Sequence, residues 1–382
     1  MTQDFTYLDY AATTPVRTEV RAAMQPLLDE RLFGNPSSMH RAGREARQAL
    51  EDARGRIAAA LGVEPRTVVF TSGGTEADNL AVLGAALAAR TAERPFRVAV
   101  AATEHKAVLD AARHVERLGG AATVLPVDPD GRVDPEALDA AARGGAAVVS
   151  VMWVNNETGT INDVPVLAER SAAHGVPFHS DAVQAVGKIP VRLPEAVSLL
   201  SLSGHKIGGP KGVGALVVRD ARRIAPLLHG GGQQDGVRPG TENVAGAVGL
   251  GVAVEFAVAE QEAFARDVAT LRDRLERNLR TAIPDVLFHG AGAARAPHVS
   301  SVSFPGVRSD VLLQQLDLAG IACSAGSACT TGSVKPSHVL HAMAVDPAVA
   351  IGALRVSLAR RTTPAEIDRV VDVMPDAVRK AR

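Results

Sequence analysis

Short, continuously apolar runs alternate with stretches of helical period along the first two thirds of the chain, and this alternation limits the fold more than any other feature. Arg41 to Leu61 sets Ala46, Leu50, Ala53, Ile57 and Leu61 on one stripe, followed by Gly62, where left-handed geometry ends a helix. A strand is expected at Val68 to Thr71, and the helical period resumes from Thr75 to Arg90. Further strand-like runs stand at Arg97 to Ala101, Ala147 to Val154, Val176 to His179, Leu199 to Ser203 and Gly214 to Val218. Strands apolar on both faces and separated by helices predict an α/β fold, with a mainly parallel mixed sheet covered by helices on either side.

The last third changes pattern. The longest apolar run, Val244 to Ala259, is broken by Glu255 and is shorter than the ~20 residues needed to cross a bilayer, so it reads as a buried helix and no membrane is expected. A charged helix follows at Glu260 to Arg280, then a strand at Val299 to Phe304, a helix at Asp310 to Ala319 and a stretch rich in Ser, Gly and Thr from Ala322 to Ser333. Thr363-Pro364-Ala365-Glu366 is a capping box that opens a final helix through Ile367, Val370, Val371 and Met374. The expected division is a large domain over residues 16–255 and a smaller α+β domain formed by 1–15 with 256–382.

Charge and cysteine usage exclude several functions. Lys plus Arg is 41 against Asp plus Glu at 42, and aromatics are 3%, so the chain has neither a basic footprint nor a stacking platform for nucleic acid. Its two cysteines, Cys323 and Cys329, make no disulfide framework and lack zinc-ligand spacing, which leaves no metal site and fits a reducing compartment. The opening MTQDFTYLDY contains no apolar signal core, and a cytoplasmic location is expected.

In open parallel sheets, ligands gather at the carboxyl ends of strands. Polar residues directly follow five of the apolar runs: Thr71 to Glu76, Thr103 to Lys106, Asn155 to Glu157, Asp181 with Gln184, and Ser203 to Lys206. Each has a plain structural reading. A lysine in a Gly-rich loop is usually solvated, Asp181 suits a helix N-cap, and His105 suits a satisfied core histidine. Together, however, they match the needs of pyridoxal phosphate. A phosphate dianion wants N–H groups at a helix N-terminus and hydroxyl donors, which Gly74, Thr75 and Ser203 offer. The pyridine nitrogen needs an acid such as Asp181, the aldehyde needs a lysine such as Lys206, and the flat ring gains from the imidazole of His105.

With these motifs in view, the chain resembles the cysteine desulfurases, pyridoxal-phosphate enzymes of the class V aminotransferase group. The resemblance runs from Tyr7-Leu8-Asp9-Tyr10-Ala11-Ala12-Thr13-Thr14-Pro15 almost to the C-terminus. It includes Gly34-Asn35-Pro36-Ser37-Ser38 with His40, Arg238-Pro239-Gly240-Thr241-Glu242-Asn243, Ser324 to Cys329, and Arg355-Val356-Ser357-Leu358. It implies the fold-type I architecture of pyridoxal-phosphate transferases. It also implies Lys206 as the lysine that carries the cofactor, His105 as the stacked acid/base residue and Asp181 as the pyridinium partner. Asn156 and Gln184 would bond the phenolic oxygen. Gly74, Thr75, Ser203 and His205 would hold the phosphate, with Thr241 reaching it from the other subunit of a homodimer. Arg355 and Asn35 would clamp the substrate carboxylate. Cys329 would be the nucleophile that takes sulfur from L-cysteine as a persulfide, leaves alanine, and passes the sulfur to an acceptor protein for iron-sulfur cluster assembly or thio-modification. Cys323, beside Ile321 and Ala322, reads as inert packing.

Relatives often carry His-Val-Asp-Ala-Thr-Gln where this chain has His179-Ser180-Asp181-Ala182-Val183-Gln184, so one hydroxyl near the ring is lost at Val183 and another appears at Ser180. The sequence ends at Arg382, which leaves the acceptor's identity open. Competing readings are a selenocysteine lyase or small-amino-acid aminotransferase of the same fold, and a catalytically silent scaffold in a sulfur-transfer complex.

Overall fold

A computed structural model describes residues 5–325 and 336–382; Cys329 lies outside the described residues. Seven strands form the central sheet, in the order Val68–Thr71, Gly214–Val218, Val197–Ser203, Phe178–Asp181, Val149–Ser150, Arg97–Ala101, Ala121–Leu125. Gly214–Val218 pairs antiparallel with both its neighbours and the remaining pairs are parallel, so the sheet is mainly parallel and mixed.

The two-sided apolarity of these strands has a direct structural cause. Successive side chains point to opposite faces. Phe70, Leu200, Leu202, Ala215 and Val217 enter one core with Leu50, Ile57 and Leu250 from the helices Arg41–Leu61 and Val244–Ala259. Val69, Leu199, Leu216 and Val218 enter the core on the other face, against Leu80 and Val108 of the helices Gly74–Thr91 and Lys106–Arg117. Each such fully buried Leu or Ile contributes about 1.5–3 kcal/mol. Among the described residues no single helix is long and apolar enough to cross a membrane.

A third core is built from Leu8 at the chain start together with Val268, Leu275, Val302, Leu354, Val356, Ile367 and Met374. It backs a four-stranded antiparallel sheet ordered Ser324–Ala325, Ala353–Ser357, Val299–Ser303, Leu287–Phe288, while Thr6–Tyr7 pairs parallel with Ile321–Ala322. The final helix, Pro364–Ala381, starts with the reciprocal capping box of Thr363 and Glu366.

Two strand expectations need correction, and one strand was not foreseen. Ala147 to Val154 yields a ladder strand only at Val149–Ser150, because the chain beyond it leaves the regular register and bridges at Val154 to Ile161. The run expected at Val176 to His179 pairs instead as Phe178–Asp181, since Pro177 has no N–H to donate. Ala121–Leu125 is that strand; it lies at the sheet edge, is largely solvent-exposed, and its short run is interrupted by Thr123.

Candidate active site

The carboxyl ends of the parallel strands, and of Val68–Thr71, open on one side of the sheet, and a cavity of about 400 Å³ lies there. Gly74, Thr75, His105, Asn156, Asp181, Gln184, Ser203, His205, Lys206 and Arg355 all line it. Strand direction brings these residues together from five separate segments, and the strand Ala353–Ser357 of the second sheet adds Arg355 from a sixth.

Lys206 stands in the short turn after Val197–Ser203. Its Nζ donates to the carbonyl oxygens of Ala11 and Ala12, each at 2.8 Å. Thr14 Oγ1 donates in turn to the His205 carbonyl at 2.9 Å and accepts from Gly208 N–H at 2.8 Å. The Tyr7 to Pro15 motif therefore acts as a strap that seats the lysine loop. Burial, and then the nearby Arg355, bring the Lys206 amine down to about 8. Burial and Lys206 bring His205 down to about 4, so its imidazole is neutral.

His105 caps the helix Lys106–Arg117: its Nδ1 accepts from Ala107 N–H at 3.1 Å, which puts the ring proton on Nε2 and opens that edge to the cavity. Desolvation lowers its pKa. Asp181, at the end of Phe178–Asp181, accepts from Val183 N–H at 2.9 Å through Oδ1. Burial raises its pKa against the opposing pull of His105, Lys206 and Lys188, and burial together with the Asp181 charge raises Asp78 and Glu104 as well. Asp78 also faces His179 at 3.7 Å, and burial drops that imidazole to about 3. Asp78 was missed in the sequence. Its signal is an acid one turn after Gly74 among the buried Ala77, Leu80 and Ala81.

Arg355 is buried on the strand Ala353–Ser357. Its Nη2 donates to Asp9 Oδ1 at 2.8 Å and its Nη1 to the Asn156 carbonyl at 2.9 Å, while Nε has no partner among the described residues. The two asparagines of the motif separate cleanly. Asn155 is spent on structure, its Nδ2 donating to the Thr103 carbonyl and its Oδ1 accepting from Glu157 and Thr158 N–H, whereas Asn156 borders the cavity.

Two expected site residues stand elsewhere within the single chain. Asn35 sits on an exposed loop where its Oδ1 accepts from Ser37 N–H at 2.9 Å, a local Asx turn, and it neither borders the cavity nor pairs with Arg355. Thr241 is exposed, beside Ser72 and Arg238 in a separate groove. The new hydroxyl of Ser180 is corrected too: pleating turns it to the opposite face from Asp181, where it donates to the Val151 carbonyl at 2.8 Å, so it does not replace the one absent at Val183. Cys323 packs against the third core, and burial pushes its thiol up to about 12.

These residues fit pyridoxal phosphate on their own chemistry. The 18-residue helix Gly74–Thr91 begins without a side-chain cap, with Gly73 at φ 153°, so its first N–H groups point free at the cavity edge. A Cβ at Gly74 would stand 3.1 Å from Val183 Cγ2, closing the space that a phosphate needs. Asp181 keeps one carboxylate oxygen toward the cavity, and Lys206, His105 and Arg355 surround the remainder.

Fold and site together define a pyridoxal-phosphate enzyme of fold type I. Comparison with known proteins narrows this. The family model for aminotransferase class-V matches residues 6–370, and the chain belongs to that family, among its cysteine desulfurases. It is 45% identical over 377 residues to the cysteine desulfurase IscS of Dictyoglomus turgidum, covering 98% of this chain and 95% of that one. A NifS-like protein of known structure superposes with a TM-score of 0.89 at 35% identity, covering 97% of this chain and 98% of that one. The structure of SspA in complex with cysteine superposes with a TM-score of 0.81 at 34% identity, covering 94% and 100%.

Proposed function

We propose that this chain removes sulfur from L-cysteine, releasing L-alanine and holding the sulfur as a persulfide on Cys329. The observation that carries the reading is the meeting, in one cavity, of Lys206, His105, Asp181 and Arg355 beside an uncapped helix N-terminus. The bound cofactor supplies an electron sink for bonds broken at the amino-bearing carbon of the substrate.

The side chains divide the remaining work. Gly74, Thr75, Ser203 and His205 hold the phosphate, and Asp181 balances the ring's positive charge. Asn156 and Gln184 contact the phenolic oxygen. Arg355, which borders the cavity, receives the substrate carboxylate on its guanidinium, held in place by Asp9 and the Asn156 carbonyl. With a pKa near 8, the Lys206 amine both anchors the cofactor and moves a proton at the substrate Cα. His105, with its proton on Nε2, would lie against the cofactor ring and hold the second proton. The Cys329 thiolate attacks the substrate sulfur: an S–S bond forms, the C–S bond breaks, its electron pair stays with carbon, and a proton completes alanine.

A homodimer suits this site. Thr241 lies outside the cavity of its own chain, and Phe33 and Met39 are 75% and 88% exposed on the segment that carries Asn35. A second subunit that buries those apolar residues would bring its own loops to the open cofactor edge. The sulfur then leaves for an acceptor protein, either an iron-sulfur scaffold or a thio-modification enzyme, in the cytoplasm.

The test is sulfide and alanine release from L-cysteine with reductant present. Wild-type protein yields both, Lys206→Ala yields neither and lacks the lysine-linked chromophore, and Cys329→Ala keeps the chromophore but loses sulfide. Full turnover by Cys329→Ala would instead mark a transaminase.

A further inference from the structure

Around Gln184 stands a buried polar cluster, two members of which, Lys188 and His298, the reaction above leaves unused. Gln184 is 3% exposed, Lys188 5% and His298 1%. Lys188 Nζ donates to Gln184 Oε1 at 2.8 Å, and His298 Nε2 stands 3.1 Å from the same oxygen. On the other side of the amide, Gln184 Nε2 donates to the Ala11 carbonyl at 2.8 Å, an oxygen that also accepts from Lys206 Nζ at 2.8 Å.

This arrangement admits one orientation of the amide. Turned over, Gln184 would set its oxygen against the Ala11 carbonyl, acceptor facing acceptor, and its NH2 against the Lys188 amine. The imidazole is determined with it. Gln184 Oε1 accepts only, so His298 Nε2 carries the proton and Nδ1 is left a bare acceptor, buried without a partner among the described residues. An unpaired buried nitrogen costs about 1–3 kcal/mol, a cost that a Leu or Met filling the same space would avoid. Among the described residues no carboxylate is bonded to Lys188; burial and then Lys206 hold its pKa well below the ordinary lysine value, with Asp181 and Arg355 as the other charged neighbours.

We propose that Lys188 and His298 are positioning residues: they pin the Gln184 oxygen so that the remaining Nε2 hydrogen faces the cavity, and the cofactor's phenolic oxygen always meets a donor. The proposal rests on the reading of Gln184 as a contact to that oxygen. Bonding to the deprotonated form of an acid favours that form, so the donor lowers the pH at which the bound chromophore titrates and its loss raises it.

Absorbance titration of the pyridoxal-phosphate-loaded protein tests this without reference to turnover. Gln184→Leu is expected to raise the spectral midpoint by about one pH unit. Lys188→Met combined with His298→Leu is expected to raise it by a similar amount, while Lys188→Gln and His298→Asn, each keeping a donor and serving where the apolar pair does not fold, hold it near the parent value. In a Gln184→Leu background the further changes at 188 and 298 should move nothing. A shift of equal size in that background overturns the proposal, because the two residues would then act by their own charge. An unmoved midpoint in Gln184→Leu alone overturns the Gln184 reading beneath it instead.

Discussion

Arg355 and Asp9, 346 positions apart in the chain, are joined at 2.8 Å in the cavity wall, so the strap at the chain start and a strand near its end orient one guanidinium. The same guanidinium donates to the Asn156 carbonyl and borders the cavity. Lysine at this position keeps the charge but not the planar guanidinium that can bond Asp9, the Asn156 carbonyl and a substrate carboxylate at once. Arg355→Lys is therefore expected to lower kcat/KM for cysteine about 10- to 100-fold, in line with the roughly 1.5–3 kcal/mol of one charge-assisted hydrogen bond. Steady-state alanine formation checks this, and an unchanged kcat/KM would remove Arg355 from carboxylate recognition.

Uptake of cofactor should report the Lys206 amine. Only the neutral amine attacks an aldehyde, and this one titrates near 8 instead of 10.5. Below that value the neutral fraction falls tenfold per pH unit, so the uptake rate of cofactor-free protein should climb steeply from pH 6 to 8 and level off above. Stopped-flow absorbance after adding pyridoxal phosphate measures it. A rate still climbing at pH 10 would mean an unperturbed lysine.

The parts of this site legible in the sequence are those where an apolar strand ends and a polar residue follows at once. Thr71 to Thr75, His105, Asp181 and Ser203 to Lys206 all obey that rule, because strand direction carries their side chains to one edge whatever the loops do. What escaped depends on contacts between distant segments. Nothing local to Ala11 says that its carbonyl holds both Lys206 and Gln184. Nothing local to Lys188 distinguishes a buried amine from a solvated one, although a lone charge in the run from Ala182 to Ile189 is a usable hint. Asn35 misled for the same reason: its motif resembles a site, yet within one chain its side chain closes its own turn.

Gly214 is a strand position where only glycine fits. A Cβ there would stand 2.5 Å from the Leu202 carbonyl and 2.7 Å from the backbone of Gly73, and neither can yield without moving the turn that presents the Gly74 and Thr75 N–H groups. Gly214→Ala should cost about 1–3 kcal/mol and weaken pyridoxal phosphate binding together with stability. Gly55→Ala is the contrasting change: its Cβ meets nothing within 4 Å on the helix Arg41–Leu61, and it should stabilise by about 0.5–1 kcal/mol with cofactor affinity unchanged. Thermal melts and cofactor titrations of the two variants separate a turn displacement from a general loss of packing.

The two cysteines should differ in reactivity by a wide margin. Cys323 packs against the third core with its thiol near 12, so at pH 8 only about one molecule in ten thousand is a thiolate, and the thiolate is the reacting form. Cys329, flanked in sequence by Ser327, Ala328, Thr330 and Thr331, has no apolar neighbours of that kind close along the chain. Iodoacetamide at pH 8 should therefore label native protein once per chain, at Cys329, and the label should vanish in Cys329→Ala while Cys323→Ala retains it. Peptide mass mapping reads the position directly. Labelling at Cys323 on the same timescale would mean that the core around Leu8 and Val356 opens to solvent, and would return Cys323 to consideration as a carrier of sulfur.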